Sequence, residues 1–206
     1  MDDPVVAACF AVLLTATVWA AGQLDRTRRA PLATAATLLV IGTVSVLQLT
    51  AFPGLLGALR RDRSAIADGQ LWRLVTSLVV QDGGWPGTVF NLATLVVVGS
   101  VAESLWSRRR WVLIALTAGI GAQFWGLVVQ PTGAGNSVLV FGLAASVLVR
   151  ALRQGPLPSR ALAVVGLLAG TVLLVGGDLH GGAVAIGAVS TALLTTPRIR
   201  GHAGVV

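Results

Sequence analysis

Lysine is absent from this chain and cysteine occurs once, at Cys9, inside an apolar run. A lone cysteine builds neither a disulfide framework nor a thiolate metal cluster. Charge is scarce too: 11% of the 206 residues are charged, against roughly 25% in a soluble globular domain. Carboxylate pairs at acid–base spacing are missing, and Glu103 is the only glutamate. No His/Cys/carboxylate cluster of metal-ligand type occurs, and no glycine loop followed by lysine that would cradle a phosphate. Metal-assisted hydrolysis and ATP use therefore lack support, and no cofactor is expected. An inverted repeat, which a small transporter would want, is also lacking.

What is present is apolar. Hydrophobic residues make up 55% of the chain and the mean hydropathy is +0.83, which requires lipid as solvent. Glycine, at 25 residues, lets helices approach closely where no hydrophobic effect drives them together. Seven apolar stretches run over Pro4–Gly22, Pro31–Phe52, Gly87–Trp106, Trp111–Val129, Ser137–Val149, Ala161–Val175 and His180–Thr196. The last three reach spanning length only by including glycine and polar flanks, which suggests helices that begin below the membrane surface beside a wet cavity.

The net charge of +7 comes from fifteen arginines. No nucleic-acid signature accompanies them, so they are read as topology signals. The first stretch follows Met1-Asp2-Asp3 and precedes Asp25-Arg26-Thr27-Arg28-Arg29, the reverse of a cleavable signal peptide. With that N-terminus outside, Arg26, Arg28, Arg29, Arg108 to Arg110, Arg150, Arg153, Arg160, Arg198 and Arg200 fall in the cytoplasm. The remaining four, Arg60, Arg61, Arg63 and Arg73, lie in the long connection from Pro53 to Pro86. A connection of that length usually carries a job. Its apolar centre, Leu71 to Val80, is half a span long and is expected in the outer interface. Trp106 and Trp111 flank an arginine cluster as interfacial anchors would. His202, in the polar tail, is expected in water.

Polar residues at membrane depth are candidate sites by default. Ser137 follows Gly135-Asn136 and opens an apolar run; it either activates a hydroxyl at a helix N-terminus or, with Asn136, simply caps that helix. His180 begins the last stretch and is either the base for Ser137 or an interfacial histidine bonded to backbone. Gly181, Ala183 and Gly187 would allow the close helix contact that the first option needs. Asn91 offers an oxyanion donor or an interhelical bond, and Glu103 reads as structural, with an arginine or backbone partner.

The ordered set Gly69-Gln70-Leu71-Trp72-Arg73, Phe90-Asn91 with Glu103 twelve residues on, Gly135-Asn136-Ser137 with Phe141-Gly142, and His180 with Gly187 resembles the rhomboid intramembrane serine proteases over residues 31–196. The resemblance implies an all-α membrane protein, a rhomboid-like six-helix bundle with one additional N-terminal transmembrane helix. Residues 1–30 would be that helix and a basic cytoplasmic loop, 31–196 the rhomboid-like membrane domain and 197–206 a cytoplasmic tail. The resemblance further implies a Ser–His dyad without an acid that cleaves transmembrane segments of membrane proteins near the outer face. Ser137 would be the nucleophile, His180 the base, and Asn91 with the Ser137 backbone N–H the oxyanion hole. Trp72, Arg73, Glu103, Gly135 and Gly187 would be structural. The implied partners are membrane-protein substrates and the lipid bilayer, with no nucleic acid, and the implied location is a bacterial plasma membrane, crossed several times.

Three positions depart from the family's pattern. Val138 stands where active members usually have glycine, and its branched side chain would either crowd the substrate carbonyl or alter the helix start. Gly87 stands where many carry a histidine four residues before the asparagine, and Gln81 takes the other usual outer-loop histidine position. Val138 and Gly87 favour an alternative, a catalytically inactive rhomboid-like protein that binds transmembrane clients. In the protease reading Gly133, Gly135, Gly176, Gly177 and Asp178 would line a water-filled cavity.

Overall fold

A computed structural model of the chain describes residues 3–195; Arg198, Arg200 and His202 lie outside the described residues. In chain order the elements are α1 (Pro4–Gly22), α2 (Leu32–Thr50), α3 (Gly54–Leu59), β1 (Arg61–Asp62), α4 (Arg63–Ala67), α5 (Arg73–Thr76), α6 (Gly84–Leu105), α7 (Arg108–Val129), β2 (Thr132–Gly133), α8 (Ser137–Gln154), α9 (Leu157–Val175) and α10 (Leu179–Leu194). Helices α1, α2 and α6 to α9 are each long and apolar enough to cross a membrane, and α10, at 16 residues, is shorter. The seven apolar stretches are thus seven helices of an all-α, multi-pass membrane protein. Hydrocarbon offers no hydrogen bonds to a bare backbone, so apolar runs of this length close their N–H and C=O groups internally as helices.

Helix α8 is the axis of the bundle. It is 72% buried, whereas the other five spans are 22–39% buried, and α1, α6, α7, α9 and α10 all pack on it. Glycines set those approaches. A Cβ at Gly142 would lie 2.1 Å from the Ala118 Cβ on α7, and one at Gly187 of α10 would lie 2.5 Å from the Gly142 carbonyl oxygen. A Cβ at Gly181 would lie 2.1 Å from the Leu174 backbone nitrogen. Backbone therefore meets backbone where α8, α9 and α10 converge.

Helix α1 packs along α9 and α8 and touches α6. Its start is capped by Asp3, which accepts from the Val5 N–H at 2.8 Å, and Pro4 at the first turn needs no acceptor. Near its end the Ala20 carbonyl accepts from Ser159 Oγ at 3.0 Å.

The far end is organised by the only glutamate. Helix α2 begins at Pro31–Leu32 without a side-chain cap of its own. Glu103 Oε1 accepts from the Ala33 N–H at 2.9 Å, and Oε2 accepts from the Thr34 N–H at 2.8 Å and Thr34 Oγ1 at 2.9 Å. The carboxylate of α6 thus satisfies the orphan donors and positive dipole end of α2, with Arg108 Nε 3.5 Å away. Chain direction puts Arg26, Arg28, Arg29, Arg108 to Arg110, Arg150, Arg153 and Arg160 at this end, and Arg60, Arg61, Arg63 and Arg73 at the opposite one.

Two expected anchors are not at the lipid interface. Trp106 and Trp111 are buried at 5% and 2% exposure. Trp106 Nε1 donates to Ser146 Oγ at 3.1 Å beneath the Arg150 guanidinium, and Trp111 Nε1 donates to the Gly99 carbonyl at 2.9 Å. Each indole found a helix–helix seam that both covers its ring and accepts its N–H, which an interface position does less completely.

The long connection folds over the opposite end. Arg73 donates from Nη1 to the carbonyls of Gly57 and Arg60 and from Nε to Gln70 Oε1, tying α5 to the end of α3. Trp72 stays exposed. Arg61, 1% exposed, donates to Gln123 Oε1 and to the carbonyls of Gln130 and Thr132, and β1 pairs with β2 in the register Arg61 to Gly133. This clamp fixes the loop that leads into α8.

Candidate active site

Gly135 has φ of +140° and donates its N–H to the Ser77 carbonyl at 2.8 Å. An L side chain rarely takes that backbone angle, and a Cβ there would also lie 3.2 Å from Asn91 Nδ2. The turn delivers Asn136 as the N-cap of α8, but its side chain caps nothing. Instead Asn136 Oδ1 accepts from Gln81 Nε2 at 2.8 Å and Nδ2 donates to the Asn91 carbonyl at 3.2 Å. The bland alternative, capping by Asn136 or Ser137, is therefore not what either side chain does.

Ser137 is the first residue of α8, so its backbone N–H has no intrahelical acceptor. Its Oγ lies 2.8 Å from His180 Nε2. On the other side of the ring, His180 Nδ1 lies 2.8 Å from Asp178 Oδ1, which also accepts the His180 backbone N–H at 2.7 Å. A ring proton on Nδ1 would meet the carboxylate and leave Nε2 to accept from the serine hydroxyl. Burial pushes the Asp178 carboxyl up, but the hydrogen bonds and charge of His180 outweigh it and hold the carboxyl below the usual carboxylate range. The imidazole is also packed between two phenyl rings, Phe10 of α1 at 4.5 Å and Phe141 of α8 at 4.7 Å between centroids.

Asn91, in the second turn of α6, donates from Nδ2 to Gln81 Oε1 at 2.8 Å and is among the residues that line the cavity. Gln81 is in turn held by Gln48 of α2, which accepts the Gln81 N–H at 2.8 Å and donates to its carbonyl at 2.7 Å. A chain of amides thus runs from α2 through Gln81 to Asn91 and Asn136. Glutamine supplies here a neutral acceptor and donor on one planar group, so it bridges two asparagines at once.

Ser137, His180 and Asn91 share a cavity of about 600 Å³ whose wall also includes Asp3, Val6, Phe10, Arg61, Gly133 and Asp178. Its rim carries the exposed residues Asp82, Gly83, Pro86 and Phe90. Gly133, Gly135 and Asp178 line it as expected, but Gly176 and Gly177 do not; they sit behind Asp178 in the turn that closes α9, where the Gly176 N–H donates to the Val172 carbonyl. Val138 does not crowd the cavity. One residue past Ser137 is about 100° round the helix, and its side chain is fully buried in the bundle core. Gly87 does line the cavity, and a Cβ there would meet nothing within 4 Å. Two contributors escaped the sequence reading: Phe10, whose contact spans the whole chain and leaves no local trace, and the ring contact of Asp178. The Asp at a helix N-cap was a visible signal for the second.

These elements define a multi-pass helical membrane protein with a serine and a histidine hydrogen-bonded in a cavity at one end of the bundle. Residues 68–194 match the family model described as the Rhomboid domain, and the chain belongs to the rhomboid family. A 93-residue stretch is 36% identical to the protein named rhomboid protease GluP of Bacillus subtilis (strain 168). The match covers 45% of this chain and 18% of that relative, so the chain spans only a small part of the relative's length.

Proposed function

We propose that this protein is an intramembrane serine endopeptidase that cleaves transmembrane segments of membrane proteins near one face of a bacterial plasma membrane. The observation that carries the reading is the 2.8 Å contact between Ser137 Oγ and His180 Nε2 inside a rimmed cavity, with the Asn91 amide beside it. The rhomboid family and a relative named as a protease support it.

In the mechanism, Ser137 Oγ attacks the substrate carbonyl carbon while its proton passes to His180 Nε2. The oxygen that becomes negative is held by the Ser137 backbone N–H and the Asn91 side-chain amide. Collapse of the tetrahedral intermediate breaks the C–N bond, and His180 gives its proton to the leaving amine. Water then enters by the rim, loses a proton to His180 and attacks the acyl-serine, and the returned proton frees Ser137. The bilayer excludes water while this reaction consumes it, which is the use of a cavity open at the end of the bundle. A substrate helix unwinds locally before its carbonyl reaches Ser137, so small and helix-breaking residues are favoured around the cleaved bond.

The test is labelling of the detergent-solubilised protein with a fluorophosphonate probe, alongside Ser137→Ala and His180→Ala. Labelling of the native chain that is lost in both variants is the expected result. A folded native chain that does not label overturns the reading in favour of a protein that only binds transmembrane clients.

A further inference from the structure

The family pattern supplies a serine and a histidine; the fold around His180 supplies more. Asp178 precedes α10 and is held on both sides of its backbone. Its N–H donates to the Leu173 carbonyl at 2.9 Å, and its carbonyl accepts from Trp125 Nε1 of α7 at 3.1 Å. Gly177 ahead of it, at φ of +73°, makes the turn that brings the residue back under α10. A residue pinned in this way has one side-chain direction of use, and Oδ1 takes two donors there, the His180 backbone N–H at 2.7 Å and the ring Nδ1 at 2.8 Å. Its side chain is 21% exposed and that of His180 16%, so water competes weakly for either partner. A helix cap alone requires only the first of those two bonds. The second one adds nothing to the helix and points through the ring at Ser137.

We infer that Asp178 is a positioning residue of the catalytic group, holding His180 with its proton on Nδ1 and stabilising the imidazolium formed when Ser137 gives up its proton. The inference rests on the serine hydrolase reading above. The proton balance is simple: the Ser137 proton moves to Nε2, the Nδ1 proton stays on the ring, and Asp178 remains a carboxylate throughout. The other charged groups on the cavity wall are Asp3, which caps α1 through the Val5 N–H, and Arg61 and Asp82 of the long connection. Arg61 is committed to Gln123, Gln130 and Thr132, and Asp82 Oδ2 accepts from the Ala134 N–H at 2.8 Å. Asp178 is therefore the carboxylate bonded to the ring.

Substitution separates the two jobs because asparagine caps a helix as well as aspartate does. In Asp178→Asn the cap is kept and the anion is lost; in Asp178→Ser a cap is kept and the ring acceptor is withdrawn; Asp178→Ala removes both. The expected result is that Asp178→Asn folds with a thermal midpoint between those of the native chain and Asp178→Ala, while the maximal rate of fluorophosphonate labelling falls at least about 100-fold, within the roughly 10⁴-fold span known for loss of a triad carboxylate. The concentration for half-maximal labelling stays unchanged, because the probe's binding does not use the ring. Asp178→Ser falls by a similar factor. A residue that only caps predicts the reverse order, with Asn and Ser near native in rate and only Ala impaired, and that outcome overturns the inference. Native labelling abolished by Ser137→Ala, with Asp178→Asn labelling at the native rate, leaves the protease reading standing and removes Asp178 from it. A native chain that does not label removes both. Proton NMR of the folded native protein and of Ser137→Ala gives a readout that needs no turnover: a strongly deshielded imidazole N–H signal, lost in Asp178→Asn, is expected, and its absence from the native spectrum overturns the inference.

Discussion

The imidazole of His180 and the ring of Phe10 meet edge to face, with centroids 4.5 Å apart and planes at 69°. The residues are on α10 and α1, and Phe141 of α8 closes the triangle at 4.6 Å from Phe10 and 4.7 Å from His180. An edge-to-face contact gives the imidazole a preferred tilt as well as an apolar cover. Phe10→Ala is expected to destabilise the fold by about 3 kcal/mol and to slow fluorophosphonate labelling, with Phe10→Leu intermediate in both. Reversible unfolding in mixed micelles measures the first effect and labelling kinetics the second.

The amide chain from Gln48 to Asn91 makes a second expectation. Asn91→Ala is expected to lower the labelling rate on the order of 100-fold, the effect of one lost oxyanion donor. Gln81→Leu leaves that donor in place but unheld, so a loss of about 10-fold is expected. Because both substitutions act on one group, the double variant is expected to resemble Asn91→Ala alone. Full additivity in the double variant contradicts the linkage.

Two glycines are expected to behave in opposite ways. Gly187→Ala places a methyl 2.5 Å from the Gly142 carbonyl oxygen, so α10 must back away from α8 and carry His180 with it. Loss of labelling and a lower thermal midpoint are expected. Gly87→Ala meets open space and removes a glycine from a helix, so a thermal midpoint at or slightly above native is expected.

Glu103 supports the far end and lies away from the cavity. Glu103→Ala leaves the Ala33 and Thr34 donors bare, at a cost of about 3 kcal/mol or more. Glu103→Gln keeps one acceptor oxygen and is expected to lose less. The labelling rate of the molecules that remain folded is expected to equal the native rate in both.

Acid is expected to loosen the end of the bundle that carries the site. The folded Asp178 carboxyl sits below its usual range, so its contribution to stability is complete above the ordinary carboxylate value of about 3.9. That contribution is lost as pH falls through the lower folded value. A native thermal midpoint that declines over this window, and a shallower decline in Asp178→Asn, are expected from unfolding curves taken between neutral pH and about pH 3.

The helices were legible because lipid forces apolar runs to close their own hydrogen bonds; the stretch at Pro4–Gly22 and helix α1 have the same limits. The edges moved where charge and polarity hid the turn. Helix α7 starts at Arg108, inside the arginine cluster, and α8 runs on past Val149 to Gln154. The meeting of Ser137 with His180 was legible from a family pattern in which spacing stands in for geometry. What stayed hidden depended on direction. Trp106 and Trp111 have the composition of membrane anchors, and only the seam each indole enters tells them from one. Val138 follows the serine in sequence and departs from it by helical phase. Phe10 and His180 are joined by nothing short of the assembled bundle.

That last separation has a consequence for how the protein is made. Chains enter the membrane from the N-terminus, and His180 is on α10, the last helix. When α8 inserts, Ser137 is an ordinary alcohol, with no base on its Oγ and no ring for Phe10 to face. The Ser137 hydroxyl acquires its partner only when α10 has followed α8 and α9 into the bundle. Until then the chain carries the hydroxyl without the ring that stands 2.8 Å from it in the finished bundle.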